Sequence, residues 1–243
     1  MIIADGLTKV FRDRKRGEVR AADGVSFTCQ PGEVYGLLGP NGAGKTTTLR
    51  MLSTALRPTS GTASVNGLDV VKEPQRVRSQ IGFLSGNTGL YARLSPKEMI
   101  TYFGKLYGMS GSRISERMTK LFDMLEMHDF AGSRNDKLSS GMKQKVSIAR
   151  SVVHDPPAMV FDEPTTGLDV MSSRTIVQFI RQCADEGKTV IFSTHIMSEA
   201  MRLCDKVGIL HKGKLYTGGS VNEILQKTGA GNLEDAFMKI VGE

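Results

Sequence analysis

The sequence predicts an α/β domain with a mainly parallel core sheet that is covered by helices on both faces. Short apolar or β-branched runs, bounded by glycine and proline, recur along the chain and are typical of buried strands. Segments compatible with helices separate most of these runs, which favours parallel connections between the strands. The predicted strands are residues 25–29, 34–38, 81–84, 158–161, 189–193 and 207–210.

Two regions depart from this alternation. The first 30 residues and residues 63–66 resemble additional antiparallel strands beside the core sheet. Residues 87–137 show helical periodicity with almost no strand signal, so they predict an inserted helical subdomain. We therefore expect a single domain over residues 1–243, with a core formed by 1–86 and 138–220 and a C-terminal helical tail over 221–243.

Capping signals and periodicity define the predicted helices. Residues 95–98, Ser-Pro-Lys-Glu, form a capping box with proline at the first helical position, and residues 220–223 form a second capping box. A last amphipathic helix carries Leu233, Phe237, Ile240 and Val241. We interpret the two stripes that follow residue 98 as core packing. These stripes are Met99, Tyr102, Phe103, Leu106 and Tyr107, and then Ile114, Met118, Leu121, Phe122 and Leu125.

The composition is that of an ordinary soluble globular protein, with 40% hydrophobic and 23% charged residues in a chain of 243. The longest uncharged stretch, residues 79–92, is too short and too polar to cross a membrane, and the N-terminus lacks the features of a signal peptide. Three widely spaced cysteines without a C-x-x-C pair predict buried thiols rather than a disulfide framework or a zinc site. We expect a protein that is made and kept in the cytosol.

A formal net charge of +7 suits a nucleic acid, an anionic lipid surface or a phosphorylated ligand, and charge alone does not choose among them. The densest basic cluster is interrupted by Asp13 and Glu18 and lacks aromatic residues, so we interpret it as a solvated loop. Its members are Arg12, Arg14, Lys15, Arg16 and Arg20.

Residues 39–46, Gly-Pro-Asn-Gly-Ala-Gly-Lys-Thr, match a phosphate-binding loop between a predicted strand and a helix-compatible segment. Its glycines let successive N–H groups point at phosphate oxygens, and the following helix adds the positive end of its dipole. Lys45 is expected to reach the β- and γ-phosphates of a nucleotide, and the Thr46 hydroxyl to ligate Mg²⁺. The expected nucleotide contacts are Gly39, Pro40, Asn41, Gly42, Ala43, Gly44, Lys45, Thr46 and Thr47.

Two carboxylates, Asp162 and Glu163, end the predicted strand 158–161. Asp162 is placed to hold Mg²⁺ through water, and Glu163 to accept the proton of a water that attacks the γ-phosphate. An acidic pair alone also fits a solvated strand end. Together with the phosphate loop, the pair favours hydrolysis over phosphoryl transfer to another substrate.

Three further segments carry a family resemblance. Residues 138–145, Leu-Ser-Ser-Gly-Met-Lys-Gln-Lys, resemble the signature motif of ABC-type ATPases, whose usual form is L-S-G-G-Q. Residues 162–169 resemble the Walker B motif and D-loop of that family, and residues 193–195 are similar to its switch histidine. With the phosphate loop, these ordered motifs cover most of residues 1–215. The resemblance implies the P-loop NTPase fold of the ABC ATPase type, with Lys45, Glu163 and His195 as catalytic residues.

The signature also predicts a second subunit. Ser139 is able to cap a helix that begins near Gly141. The exposed N–H groups of that helix form a second anion site, which one molecule does not otherwise need because its own phosphates already have a loop. The family resemblance implies a head-to-tail homodimer in which Ser139 and Gly141 act on the γ-phosphate of the partner, while His195 acts in cis. Phe11 resembles the aromatic residue that stacks on adenine, and the alternative is a core phenylalanine.

The chain departs from the family pattern at several positions. Gly86 stands where a glutamine usually follows the strand at 81–84, and Asn87 is able to supply an amide one residue later. In the signature, Ser140 and Met142 stand in place of one of the two glycines and of the glutamine. Neither change removes the Ser139 hydroxyl or the Gly141 backbone, so we expect phosphate contact to survive.

The resemblance implies an ATPase subunit of an ABC transporter, peripheral on the inner face of the membrane through separate permease subunits. These subunits are expected to dock on the helical subdomain near residues 86–97. Residues 233–238 resemble a segment of exporter ATPases, and residues 82–91 resemble the sodium-exporting subgroup. The alternative is a soluble mechanical ATPase acting on nucleic acid or ribosomes, but no direct nucleic-acid contact is expected. A GTPase or small-molecule kinase would leave Ser139, Gly141 and His195 without a role.

Overall fold

The computed structural model describes residues 1–13, 17–86 and 89–242, which form two sheets and nine helices, besides short 3-10 turns. In chain order the strands are β1 (Ile2–Asp13), β2 (Gly17–Cys29), β3 (Val34–Leu38), β4 (Ser60–Val65), β5 (Leu68–Asp69), β6 (Ile81–Leu84), β7 (Ala158–Asp162), β8 (Thr189–Thr194), β9 (Lys206–His211) and β10 (Lys214–Ser220). The helices are α1 (Lys45–Leu52), α2 (Pro74–Gln80), α3 (Pro96–Leu106), α4 (Gly111–Leu125), α5 (Ser140–Val152), α6 (Val170–Asp185), α7 (Met197–Leu203), α8 (Val221–Thr228) and α9 (Leu233–Val241).

The core sheet has the order β10-β9-β3-β8-β7-β6. All neighbours in it are parallel except β10, which pairs antiparallel with β9. Every residue of β3, β7 and β8 is buried, as expected for parallel strands with helices on both faces. The predicted fold class is therefore confirmed, and the carboxyl ends of the five parallel strands β9, β3, β8, β7 and β6 meet at one edge of the sheet.

The second sheet is antiparallel and has the order β2-β1-β4-β5. This sheet confirms the extra strands predicted in the first 30 residues and near residue 63. It packs over α1 in a hydrophobic cluster that includes Leu7 and Leu49. The opposite face of the core sheet packs against α5 and α6, with Phe161 and Phe192 buried there. The phosphate loop therefore lies where the two sheets meet.

The helical region behaves as predicted for α4 and differs for α3. The α4 residues Ile114, Leu121, Phe122 and Leu125 are buried, and both predicted capping boxes are present, at Ser95 and Ser220.

The prediction that the α3 stripe is core is wrong for Tyr102, Leu106 and Tyr107, which are 43%, 64% and 45% exposed. The reason is the close approach of α4. A Cβ on Gly104 would lie 2.7 Å from Cγ1 of Ile114, so the buried face of α3 is centred on Ile100 and Gly104. The tyrosines and Leu106 consequently face outwards.

The C-terminal helices α8 and α9 cover the β9 end of the core sheet. Ile224 and Leu233 are buried there together with Leu38 and Ile209. In the part of the chain that the structure describes, no helix combines the length and the apolar character that a membrane span requires.

Leu121→Ala is expected to lower the free energy of unfolding by about 2–5 kcal/mol, because this side chain is 1% exposed and its truncation leaves a cavity in the core. Chemical denaturation measures the change. Glu116→Ala, at an exposed position of the same helix, is the matched control and should change the stability by less than about 0.5 kcal/mol. Equal effects of the two variants would contradict the burial of this helix face.

Candidate active site

The loop between β3 and α1 is shaped by two glycines that no other residue can replace without movement. Gly44 has a φ of 108°, and a Cβ there would lie 2.2 Å from the carbonyl oxygen of Ala21. A Cβ on Gly39 would lie 2.1 Å from the carbonyl oxygen of Leu210. The first N–H groups of α1 have no acceptor within the helix and carry the positive end of its dipole. The loop is therefore built to receive an anion.

Lys45 lies buried in the middle of this loop and is 4% exposed. Its Nζ donates to the carbonyl oxygens of Gly39 at 2.7 Å and Pro40 at 3.2 Å. The same nitrogen forms an ion pair with Oε1 of Glu163 at 3.0 Å. A buried ammonium group is costly without such partners, so the loop and the end of β7 hold Lys45 in place together.

Asp162 ends β7 beside the phosphate loop. Its Oδ1 accepts hydrogen bonds from Oγ1 of Thr46 at 3.1 Å and from Oγ of Ser193 at 2.7 Å. A hydroxyl and a carboxylate oxygen thus stand side by side at the place where phosphates would enter. Oxygen donors of this kind suit Mg²⁺, so Thr46 and Asp162 fit a magnesium site.

Glu163 leaves the strand in the left-handed conformation, with a φ of 49°. Its N–H donates to Ser193, at 3.2 Å from the carbonyl oxygen and 3.0 Å from Oγ. Its Oε2 accepts from Oγ1 of Thr166 at 2.7 Å and lies 2.8 Å from Nδ1 of His195. These contacts turn the carboxylate away from the sheet and towards the phosphate loop.

The surroundings of Glu163 keep it ionised. Partial burial raises the pKa of this carboxyl, but hydrogen bonds from Thr166 and Lys45 and the charge of Lys45 outweigh that effect. The resulting pKa lies below the ordinary value for glutamate. An ionised carboxylate beside a phosphate loop can accept a proton from water.

An open polar cleft of about 370 Å³ joins these groups. No sequence motif predicts Arg50, Ser85, Gln144 and Thr166 in this lining. Arg50 lies one helical turn after Thr46, and that spacing alone could have placed it on the same face. The described lining residues are Asn41, Thr46, Arg50, Ser85, Gly86, Gln144, Asp162, Glu163 and Thr166.

Gly86 lies at this cleft, where a Cβ would meet no atom within 4 Å. Asn87, the candidate replacement amide, lies outside the described residues, as do Arg14, Lys15 and Arg16. A larger groove of about 670 Å³ runs between α6 and α7, but its lining does not include the phosphate loop. The smaller cleft, which is lined by the phosphate loop and the acidic pair, is therefore the candidate active site.

Ser139 and Gly141 are not among the described residues that line this cleft. Ser139 caps α5, with its Oγ accepting from the N–H of Met142 at 3.2 Å. Gly141 packs against the start of α6, where a Cβ would lie 2.1 Å from Oγ of Ser172. Ser139 and Gly141 thus mark a second helix N-terminus that is not part of the described lining of this cleft.

Phe11 is 41% exposed on β1, with Nζ of Lys9 5.3 Å from its ring centroid. The alternative of a core phenylalanine is therefore wrong. Its exposed ring is not among the described residues that line the cleft.

The fold and the cleft define a P-loop ATPase, and the comparisons identify its family. A model of the ABC transporter family matches residues 22–166, so the chain belongs to that family. It is 44% identical to the ABC transporter ATP-binding protein NatA of Bacillus subtilis (strain 168), over 98% of this chain and 97% of that protein. It is 36% identical to the Nod factor export ATP-binding protein I of Burkholderia lata, over 88% of this chain and 70% of that protein.

Solved structures agree with this assignment. The structure of an ATP-binding subunit of an ABC transporter superposes with a TM-score of 0.88 at 27% identity and covers 99% of both chains. A dimeric ATP-binding cassette in a post-hydrolysis state, bound to ADP and Pi, gives a TM-score of 0.81 at 26% identity, over 90% of this chain and 98% of that one. The protein is therefore an ABC-type transport ATPase that binds and hydrolyses ATP. The comparisons do not support the alternative of a mechanical ATPase.

Lys45→Ala is expected to abolish nucleotide binding, because it removes the buried cation that is expected to bind the phosphates. Isothermal titration with ATP measures the affinity. Lys143→Ala, at an exposed position of α5, is the control and should bind ATP as the wild type does. An unchanged ATP affinity in Lys45→Ala would contradict the assignment of the loop.

Proposed function

We propose that the chain is the ATP-hydrolysing subunit of an exporter, working as a homodimer that drives separate membrane permease subunits. The observation that carries the catalytic part is the carboxylate of Glu163, which meets Lys45, Thr166 and His195 beside Asp162. The similarity to the Nod factor export ATP-binding protein I supports export as the direction of transport. The resemblance of residues 82–91 to the sodium-exporting subgroup supports sodium ions as cargo.

The proposed reaction begins with the phosphates in the loop at 39–47. Mg²⁺ held by Thr46 and Asp162 would neutralise phosphate charge. The γ-phosphate competes with Glu163 for Lys45, because both are anions within reach of one buried ammonium group. Once Lys45 turns towards the phosphate, Glu163 loses a cationic neighbour and its affinity for a proton increases. Glu163 then accepts the proton of the attacking water, and His195 contacts the γ-phosphate.

A second copy completes each site in this proposal. The Oγ of Ser139 accepts a hydrogen bond from its own helix, which leaves the hydroxyl proton for a phosphate oxygen. The N-terminus of α5 adds N–H groups and a positive dipole end. Because Ser139 and Gly141 are not part of the described lining of their own cleft, they would seal the γ-phosphate of the partner. Phe11, with its exposed ring, would stack on adenine.

The proposed docking surface for the permease begins near the predicted residues 86–97 and continues over the outward face of α3. Its exposed apolar residues are Tyr91 before α3, Tyr102 and Leu106 on α3, and Tyr107 just after it. Beside them lies a groove of about 420 Å³ lined by Phe83, Phe103 and Arg150, among others. Exposed aromatic residues beside an apolar groove are typical of protein interaction sites. Docking there would hold the ATPase on the inner face of the membrane.

Glu163→Gln is expected to keep ATP binding while lowering turnover by roughly 10²–10⁴-fold, because the amide cannot accept the proton. The bound triphosphate then persists, so the dimer accumulates with ATP and Mg²⁺. Size-exclusion chromatography with light scattering measures the dimer, and ADP in place of ATP is the control. A Glu163→Gln protein that stays monomeric with ATP and Mg²⁺ would count against the proposed homodimer, in which each ATP is enclosed between the two subunits.

Leu106→Ser is expected to leave basal ATPase activity unchanged and to reduce its stimulation by the permease in membrane vesicles. Leu106 is 64% exposed at the end of α3 and lies on the proposed docking surface. Met238→Ser, at a 46% exposed position of α9, is the matched control. Equal stimulation of the Leu106→Ser protein and the wild type would reject this surface.

A further inference from the structure

Gln144 reaches the active-site cleft from α5, although neither its chemistry nor the family resemblance gave it a role. Its Nε2 donates to the carbonyl oxygen of Pro164 at 2.8 Å. Pro164 is the residue immediately after Glu163, and Gln144 lines the same cleft as Asp162 and Glu163. One side chain of the signature helix therefore holds the turn that carries the candidate base.

That turn needs support from outside the sheet. Glu163 has a φ of 49°, and a residue other than glycine in this conformation persists when its surroundings determine it. On one side, the N–H of Glu163 is held by Ser193 of β8. On the other side, the carbonyl of the next residue is held by Gln144. The two hydrogen bonds act on opposite ends of the same short backbone segment.

We propose that Gln144 is a positioning residue for Glu163, acting through its hydrogen bond to the carbonyl of Pro164. The inference rests on the proposed role of Glu163 as the base. Without the amide donor, the Pro164 carbonyl takes its hydrogen bond from water at the cleft, and the turn is free to shift. A shift of about 1 Å in a catalytic group costs roughly 10²-fold in rate.

The position of Gln144 on α5 links the N-terminus of that helix to the turn that carries Glu163. Gln144 lies one helical turn after Ser140, close to the Ser139 cap that is proposed to close on the partner's nucleotide. A displacement of the helix N-terminus therefore reaches the Pro164 carbonyl through a single side chain. In this proposal, the closing of Ser139 on the partner's nucleotide and the alignment of Glu163 therefore occur together.

Gln144→Met tests this role, because methionine keeps the length of the side chain and removes the N–H donor. We expect the kcat of ATP hydrolysis to fall by about 10- to 100-fold while the KM for ATP stays within about threefold, since the phosphate loop is untouched. Gln182→Met makes the same chemical change at an exposed position of α6 and is the matched control. Thermal unfolding of both variants reports on folding.

Several results would overturn the inference: a kcat of Gln144→Met within about threefold of wild type, a loss carried mainly by KM, or an equal loss in Gln182→Met. A fall in kcat that parallels a fall in melting temperature would also overturn it. Glu163→Gln, measured alongside, separates this inference from the proposed function. If Glu163→Gln turns over normally, the proposed function fails; if it stalls while Gln144→Met does not, the positioning role alone fails.

Discussion

The ion pair between Lys45 and Glu163 is the constraint on which the rest of the site depends. Lys45 is almost fully buried, and its charge is balanced by one carboxylate and two loop carbonyls. Moving either the phosphate loop or the turn after β7 would leave a buried charge without a partner, which is strongly unfavourable. The geometry of the loop and that of the turn are therefore determined together. In the proposed cycle, both groups change partners in each turnover.

The core strands and the chemical motifs were predictable from the sequence because each has a local cause. Short apolar runs between glycines and prolines define the buried strands, and the predicted limits of β3 and β6 match the structure. Asp162, Glu163 and His195 follow the ends of parallel strands, and such ends meet at one edge of a sheet. The contacts of Asp162 with Thr46 and of Glu163 with Lys45 and His195 are a consequence of that topology.

The outward face of α3 and the lining residue Gln144 were not predictable in the same way. A stripe of apolar residues shows which face of a helix is apolar, but a neighbouring element decides whether the face is covered. Here the contact between Gly104 and Ile114 brings α4 against a different face of α3. Gln144 lies within a recognised motif, yet its hydrogen bond to Pro164 depends on how α5 packs beside β7. Neither contact leaves a periodic or spaced pattern in the chain.

The close contact between Gly141 and Ser172 has a consequence for how force passes through the subunit. Because a single added carbon on Gly141 would overlap the Ser172 hydroxyl, the first turns of α5 and α6 have no clearance to slide past each other. Asp169, which caps α6 and also bonds to the Ser172 hydroxyl, is tied to the same contact. The two helix starts are therefore in direct contact. A displacement of one changes the packing of the other at this point.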